Sequence, residues 1–163
     1  MSEPGNMAGA VSPLKTIHVG FTVRDLDRSV AMFVDLFGYT VESRGPRHPK
    51  GVQLLTGVAD ADLEVAHLAH PDLLTVELIQ YVAGAAPLGP PLQPNEAGYT
   101  HLNYQVEDID KAVEAAARHG AALIGRIVSS SRDPANNRRV AYLRAPDGIH
   151  LEFVQSVGAD PAP

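Results

Sequence analysis

The sequence has 163 residues, 45% of them hydrophobic and 20% charged, with a net charge of −6 and a pI near 5.6. This length can bury one core, or two small cores that share a wall. The acidic balance without a basic run argues against nucleic acid and anionic membranes as partners, while the absence of cysteine excludes disulfides, thiolate nucleophiles and cysteine-ligated zinc.

Three segments rich in small and polar residues delimit two modules. Residues 1–13 and 158–163 are predicted to be disordered tails. Residues 84–97 contain four prolines without periodicity and are predicted to be a linker. This linker separates a first module, residues 14–83, from a second module, residues 98–157.

The first module is predicted to contain one strand, one helix and three further strands. Residues 16–23 alternate apolar with polar or small residues, which predicts a strand that places Ile17 on its core face. Asp25 is the predicted N-cap of a helix that carries apolar residues at helical spacing and ends at Gly38. The three strands are predicted over residues 39–43, 62–68 and 74–82.

The second module is predicted to contain the same elements in the same order. Residues 99–106 predict a strand, Asp108 is the predicted N-cap of a helix, and Gly120 ends that helix. The repeated order β-α-β-β-β predicts an α+β fold with the helices on one face of the sheet. The last three strands are predicted over residues 121–128, 139–144 and 149–157, with a turn at residues 145–148.

The two modules are also similar in sequence. Residues 18–30 align with residues 101–113 at a constant offset of 83 positions. Residues 76–82 align with residues 151–157 at an offset of 75 positions, so the second module has fewer residues between its two matching segments. Two independent matches in the same order indicate that the chain arose by duplication.

Strand alternation places His18 and Glu77, and in the repeat His101 and Glu152, on the sheet faces that point away from the helices. If the sheets combine into one curved sheet, these four side chains converge on its concave side. A carboxylate inside a sheet is costly unless it is paired or bound to a metal. Two imidazoles and two carboxylates suit one divalent ion of Mn, Fe, Co, Ni or Zn. The sequence therefore predicts a single metal site.

Other polar side chains are candidates for the same cavity. His150 lies two residues before Glu152 and shares its predicted face, where it would bind substrate or shuttle a proton; a polar residue near a sheet edge is the alternative interpretation. Side chains predicted to line the pocket are Asn103, Gln105 and Tyr142, with Arg138 and Arg139 as candidates for an anionic substrate or as solvated charges. Histidines without a counterpart in the duplication, predicted to be surface or loop residues, are His48, His67, His70 and His119.

At these residues the chain resembles the vicinal-oxygen-chelate superfamily, which includes glyoxalase I, methylmalonyl-CoA epimerase, extradiol dioxygenases, fosfomycin-resistance transferases and bleomycin-binding proteins. The resemblance covers residues 15–156. It implies two tandem βαβββ modules that form a curved mixed sheet around one metal site, with the helices on the outer face. The matching positions are His18 with residues 23–29 and Gly38, residues 76–78, residues 98–101 with 106–110, and residues 146–152. Ala145 stands in place of the Asp that usually precedes Pro-Asp-Gly.

The ligand pattern distinguishes members of this superfamily. Dioxygenases and fosfomycin-resistance enzymes use two His and one Glu, whereas Glu77 adds a carboxylate, as in glyoxalase I and the epimerases. Bleomycin-binding proteins generally lack the four ligands. Thr22 stands where glyoxalase I has an Arg for glutathione, and Tyr81 stands where it has an Asn, so the resemblance to glyoxalase I is incomplete.

The resemblance implies a divalent-metal isomerase, epimerase or lyase. Its substrate would chelate the ion through two vicinal oxygens, the ion would stabilise an enolate or enediolate, and Glu152 or Glu77 would carry the proton. A metal-dependent iron dioxygenase and a non-catalytic drug- or metabolite-binding protein remain as alternatives. A homodimer is compatible with the resemblance. No signal-peptide pattern and no apolar stretch of membrane-spanning length are present, so we expect a cytoplasmic protein.

Overall fold

The structure, a computed structural model, describes residues 14–87, 89–130 and 137–156. The tails predicted at residues 1–13 and 158–163 lie outside the described residues. Within the described ranges, no helix combines the length and the apolar character that crossing a membrane would require.

The first module forms a four-stranded sheet with two helices. Strand β1 runs parallel to β4, while β3 pairs antiparallel with both β4 and β2, which gives the strand order β1-β4-β3-β2. Its elements are β1 (Val19–Val23), α1 (Leu26–Phe37), β2 (Thr40–Pro46), α2 (Pro49–Thr56), β3 (Asp62–Ala69) and β4 (Val76–Ala83).

The second module forms a five-stranded sheet with one α-helix. Strand β5 runs parallel to β9, and β8 pairs with β9, β6 and β7, so the order is β5-β9-β8-β6 with β7 beside β8. Its elements are β5 (Leu102–Gln105), α3 (Ile109–Arg118), β6 (Ala122–Leu123), β7 (Val128–Ser130), β8 (Arg138–Arg144), a 3-10 turn (Pro146–Gly148) and β9 (His150–Ser156).

The helix boundaries follow from their caps. Asp25 Oδ1 accepts a hydrogen bond from Arg28 N at 3.0 Å, and Asp108 Oδ1 accepts from the amides of the first turn of α3 at 3.1 Å. Gly38 ends α1 in the left-handed conformation, with φ of 72°, and Gly120 follows the end of α3 with φ of 82°. Both predicted helices are confirmed.

Each helix is also joined to the last strand of its module by a glutamine. Gln80 Oε1 on β4 accepts from Leu26 N at 2.8 Å, and Gln155 Oε1 on β9 accepts from Ile109 N at 3.4 Å. The two glutamines are 75 positions apart and the two amides 83 positions apart, which are the offsets of the aligned segments. The hydrogen bond between the glutamine and the first amide of the helix is therefore present at equivalent positions of both modules.

Helix α2 was not predicted from the sequence. Its segment begins with Pro49, contains Gly51 and buries only Val52, so its sequence gives a weak helical signal. Between its two aligned segments, the first module has eight more residues than the second, which is the difference between the offsets of 83 and 75. Helix α2 also has eight residues and lies between these segments.

Two strand predictions also differ from the structure. Ile17 was predicted on a core face but is 68% exposed, because it precedes β1, whose pairing with β4 begins at Val19. The strand predicted over residues 121–128 is divided into β6 and β7 by a bend at Gly125, where the lack of a side chain weakens the strand.

One hydrophobic core joins both modules. The ring of Phe37 on α1 stacks on Tyr104 of β5 with centroids 4.1 Å apart and meets Phe153 of β9 at 6.2 Å. Helices α1 and α3 also contact each other. The α+β class and the tandem modules are confirmed. The strands form two sheets instead of one. Helices α1 and α3 pack in the core that both sheets share, whereas Val52 of α2 packs in a separate small cluster.

Candidate metal centre

Glu77 is the centre of a first cluster of ligand-type side chains. Its Oε2 lies 3.3 Å from His18 Nε2, and its Oε1 lies 3.0 Å from His67 Nε2. Glu77 lies on β4 between the buried residues Val76 and Leu78, so alternation directs its carboxylate to the opposite, outer face of the sheet. His67 lies directly opposite Glu77 in the β3–β4 register.

This first cluster has the donor set of a transition-metal site. In the described part of the chain, one group of three His, Asp or Glu side chains places its ligand atoms within 4.8 Å of one another, and it consists of His18, His67 and Glu77. Their side chains are 35%, 24% and 19% exposed, so an ion could reach them from solvent. Two imidazoles and a carboxylate fit Mn, Fe, Co, Ni or Zn.

Glu152 is the centre of a second cluster. Its Oε2 lies 2.9 Å from His101 Nε2 and accepts a hydrogen bond from Asn103 Nδ2 at 2.6 Å. Tyr142 lies opposite Glu152 in the β8–β9 register, and its ring centroid is 5.1 Å from that of His101. Burial, reinforced by the nearby Glu152 carboxylate, raises the pKa of Tyr142, so this side chain remains a neutral phenol.

The two clusters are related residue by residue. His67 and Tyr142 occupy equivalent positions at the offset of 75, and Gly20 and Asn103 occupy equivalent positions at the offset of 83. A side chain at Gly20 would place its Cβ 3.4 Å from Glu77 Oε2, so the glycine keeps that oxygen clear on its β1 side. The first cluster therefore has one more imidazole, that of His67, whereas in the second cluster the Asn103 amide donates a hydrogen bond to the Glu152 carboxylate.

The prediction that His67 is a surface or loop residue without a counterpart is wrong. His67 lies within β3 and its Nδ1 lies 3.0 Å from Ser43 Oγ, on the other side of the ring from Glu77. Alternation along β3, applied together with the offset of 75, would have aligned it with Tyr142.

The four predicted ligands are brought together as two pairs. His18 with Glu77 and His101 with Glu152 each form a contact, but the group around Glu77 does not include the second pair. The reason lies in the shared core: the residues flanking Glu77 and those flanking Glu152 are all buried in it, so each carboxylate points away from it. Within one chain, the two clusters lie on separate outer sheet faces.

His150 lies close to the second cluster. It is only 6% exposed, and its ring lies 4.2 Å from that of Tyr99, which in turn lies 6.0 Å from His101. Burial, with the adjacent Arg144 guanidinium, lowers the pKa of His150, so it is held neutral. His150 and Arg144 line a cavity of about 460 Å³ below linker residues 89–92.

Arg139 does not line the site. Its guanidinium forms an ion pair with Asp110 of α3, with Nη1 2.6 Å from Oδ2, and it lies opposite Gln155 in the β8–β9 register. Odd-numbered positions of these strands face the helix, which is why Arg139 and Tyr142 point to opposite sides. Asn103, Gln105 and Arg138 are exposed, and Asn103 is the one that contacts a predicted ligand.

The remaining histidines match their predicted surface or loop positions. His48 is the N-cap residue of α2, His119 is the C-cap residue of α3, and His70 follows β3, with its ring 5.5 Å from Tyr39. None of the three belongs to the group of ligand atoms around Glu77.

Comparison with known proteins gives one family. Residues 17–142 match the family described as Glyoxalase/Bleomycin resistance protein/Dioxygenase superfamily. The chain is similar to a 2-epi-5-epi-valiolone epimerase from an Actinomyces species, with 28% identity over 84% of this chain and 76% of that protein.

Solved structures share the fold. A glyoxalase family protein from Bacillus cereus aligns with a TM-score of 0.78 and 26% identity, over 93% of this chain and 99% of that one. A mutant of the fosfomycin resistance protein FosX from Listeria monocytogenes, solved with Mn(II) and 1S,2S-dihydroxypropylphosphonic acid, aligns with a TM-score of 0.56 and 15% identity, over 91% and 93% of the two chains.

Proposed function

Because the chain belongs to the Glyoxalase/Bleomycin resistance protein/Dioxygenase superfamily, we propose that it is a divalent-metal-dependent isomerase, epimerase or lyase acting on a small substrate with two vicinal oxygens. The observation that carries this proposal is Glu77, whose two carboxylate oxygens each contact an imidazole, from His18 and from His67. The epimerase named above, which is 28% identical, supports the same class of reaction.

The ion would be held by His18, Glu77, His101 and Glu152. When bound, it would supply the positive charge that stabilises an enolate or enediolate. Since the two pairs lie on outer faces that point away from the shared core, we propose that the second cluster of another copy of this chain completes the first cluster. Such a homodimer has two equivalent sites related by its two-fold axis.

Glu152 is the better proton carrier of the two carboxylates. Both oxygens of Glu77 contact imidazoles, whereas the contacts of Glu152 to His101 and Asn103 are both made by Oε2. We therefore assign proton transfer to Glu152 Oε1. It would remove a carbon-bound proton, the electron pair of the C–H bond would remain on the substrate, and the proton would then be returned to carbon.

Metal content of the purified protein tests this proposal first. We expect near-stoichiometric Mn, Fe, Co, Ni or Zn in protein purified without chelator, and loss of that metal in the double variant His18→Ala/His101→Ala. The matched control, His48→Ala/His119→Ala, removes two histidines outside the clusters and should keep the metal. Wild-type protein that neither contains nor takes up these ions would contradict the proposal and favour a non-catalytic binding protein.

A second candidate function is an iron-dependent dioxygenase. The specific observation in its favour is the first cluster itself, because two histidines and one carboxylate also form the ligand set of non-haem Fe(II) oxygenases. Oxygen uptake by Fe(II)-loaded protein with catechol distinguishes the two functions. Uptake that requires catechol and is lost in Glu77→Gln would support the dioxygenase, and its absence would support the isomerase class.

A further inference from the structure

A cavity of about 360 Å³ lies between α2 and the outer face of the first sheet. Along β4 its lining positions are Tyr81, Ile79 and Glu77, so the cavity ends at the carboxylate of the first cluster. Leu63 and Val65 on β3 line the same wall, and Val52 and Leu55 of α2 line the opposite wall. An apolar space thus opens directly onto the first cluster of the proposed metal site.

Helix α2 forms one wall of this cavity in the first module. In the described part of the second module, β6 and β7 are joined by a bend and no helix covers the outer sheet face. Leu54 and Leu55 of α2 are 80% and 87% exposed, although only Leu55 lines the cavity. Exposed leucine at the rim of a cavity gains free energy when a ligand covers it.

Arg47 gives the cavity a positive charge near Glu77. Its Nη2 lies 3.4 Å from His67 Nδ1, and the backbone amide of Arg47 is fixed by a 2.9 Å hydrogen bond to Leu63 O. Among the residues that the structure describes, the guanidinium of Arg47 forms no ion pair, in contrast to Arg44, which pairs with Asp27 and Glu64. A charged donor beside the site therefore remains available to an anionic group.

We propose that the substrate is an amphipathic 2-hydroxy or 2-oxo acid. Its carboxylate would meet Arg47, its vicinal oxygens would face Glu77, and its apolar chain would lie beneath α2. This inference rests on the proposed function and names the substrate class of the same site. Arg47 and Glu77 contact opposite nitrogens of the His67 ring, so one imidazole separates the proposed partner of the acid group from the proposed metal ligand.

Binding of a homologous series of acids tests the inference. Isothermal titration calorimetry of Zn-loaded protein with lactate, 2-hydroxybutanoate, 2-hydroxyhexanoate and 2-hydroxyoctanoate should show affinity rising about fourfold per methylene, the effect of burying one CH₂. Leu55→Gln should flatten this rise, while the control Leu54→Gln, an equally exposed leucine outside the cavity, should leave it unchanged. Affinity independent of chain length, or equal effects of the two variants, would overturn the proposal.

The role of the Arg47 charge is tested by comparing an acid with an uncharged diol of the same chain length. Arg47→Gln should weaken 2-hydroxyoctanoate about tenfold and leave 1,2-octanediol unchanged, while the control Lys50→Gln, on α2 but outside the cavity lining, should change neither. Equal binding of acid and diol to wild type would contradict the role of Arg47. Repeating the series on metal-free protein separates the two proposals, because the chain-length effect depends on the cavity and survives there even if the metal function is wrong.

Discussion

His67 and Tyr142 occupy equivalent positions in the two modules, each directly opposite the glutamate of the neighbouring strand. His67 Nε2 contacts Glu77 Oε1 at 3.0 Å, whereas burial and the Glu152 carboxylate keep Tyr142 a neutral phenol. The duplicated scaffold thus carries two different carboxylate environments. One offers an additional nitrogen ligand, and the other offers a hydroxyl that does not bind borderline metals as a neutral group.

We predict that His67→Tyr, which copies the second module into the first, weakens metal binding about 10- to 100-fold, the range for removing a supporting ligand interaction. Zn²⁺ affinity measured by competition with a chromogenic chelator gives the result. His70→Tyr, three residues along the chain and outside the cluster, serves as the control. Equal affinities of His67→Tyr and wild type would show that His67 is not involved in binding the ion.

Glu152→Gln should lower turnover by at least about 100-fold while the protein remains folded, because a neutral amide cannot accept the carbon-bound proton but still has a similar shape. The assay is exchange in D₂O of the C2 proton of a 2-hydroxy acid, or of the C3 protons of a 2-oxo acid, followed by NMR. Thermal unfolding of the same variant should lie close to that of wild type. Unchanged exchange would remove Glu152 from the proposed proton transfer.

Mixing two inactive variants tests the site between copies. His18→Ala and His101→Ala should each lose metal, yet a hybrid dimer of the two contains one complete and one doubly damaged site. After subunit exchange in an equal mixture, roughly a quarter of the sites should bind metal again. Two variants that recover nothing when mixed, although size-exclusion chromatography shows that they exchange, would mean that the clusters are not joined in this way.

Phe37→Ala should destabilise the protein by about 3 kcal/mol, since it removes a ring that contacts Tyr104 and Phe153 across the two modules. Urea unfolding monitored by circular dichroism gives the free energy. The exposed Leu54→Ala should change it by no more than about 0.5 kcal/mol. A separate, earlier transition of one module in wild type would contradict the single shared core.

The hydroxyl of Tyr104 should make the free energy of unfolding depend on pH in alkaline solution. Burial, with a smaller contribution from the Tyr39 hydroxyl, raises the pKa of Tyr104 far above that of an unfolded tyrosine, so only the unfolded chain ionises this group as the pH passes 10. Stability should therefore fall above pH 10, by up to about 1.4 kcal/mol per pH unit from this residue. The free energy of unfolding of Tyr104→Phe, measured with urea, should fall less steeply than that of wild type between pH 9.5 and 11. Parallel curves for the two proteins would contradict this assignment.

Several contacts of Glu77 and Glu152 could be predicted from the sequence. The contacts of His18 with Glu77 and of His101 with Glu152 follow from two rules. The duplication gives the equivalent positions, and strand alternation gives the face. The same rules place Arg139 on the helix face of β8, where it pairs with Asp110. Its prediction as a pocket residue is wrong because alternation along β8 directs its side chain toward α3.

The arrangement of the two sheets could not be predicted in this way. Whether the modules share a sheet or share a core depends on contacts between distant residues, such as Phe37 with Tyr104, and the periodicity of either segment is the same in both cases. Helix α2 could not be predicted because its own segment carries a weak signal. It buries one residue, Val52, so its position depends on the sheet beneath it and leaves little trace in its own sequence.

Helix α2 is inserted between β2 and β3, two strands that pair with each other directly from Thr40–Ala69 to Pro46–Glu64. A segment that joins two paired strands at one end can change in length and sequence while the pairing persists. Relatives of this chain could thus exchange the wall over the apolar cavity and retain His18, His67 and Glu77 on the strands. Evolution of a new substrate range would then require replacement of one short connection, with the reaction itself inherited unchanged.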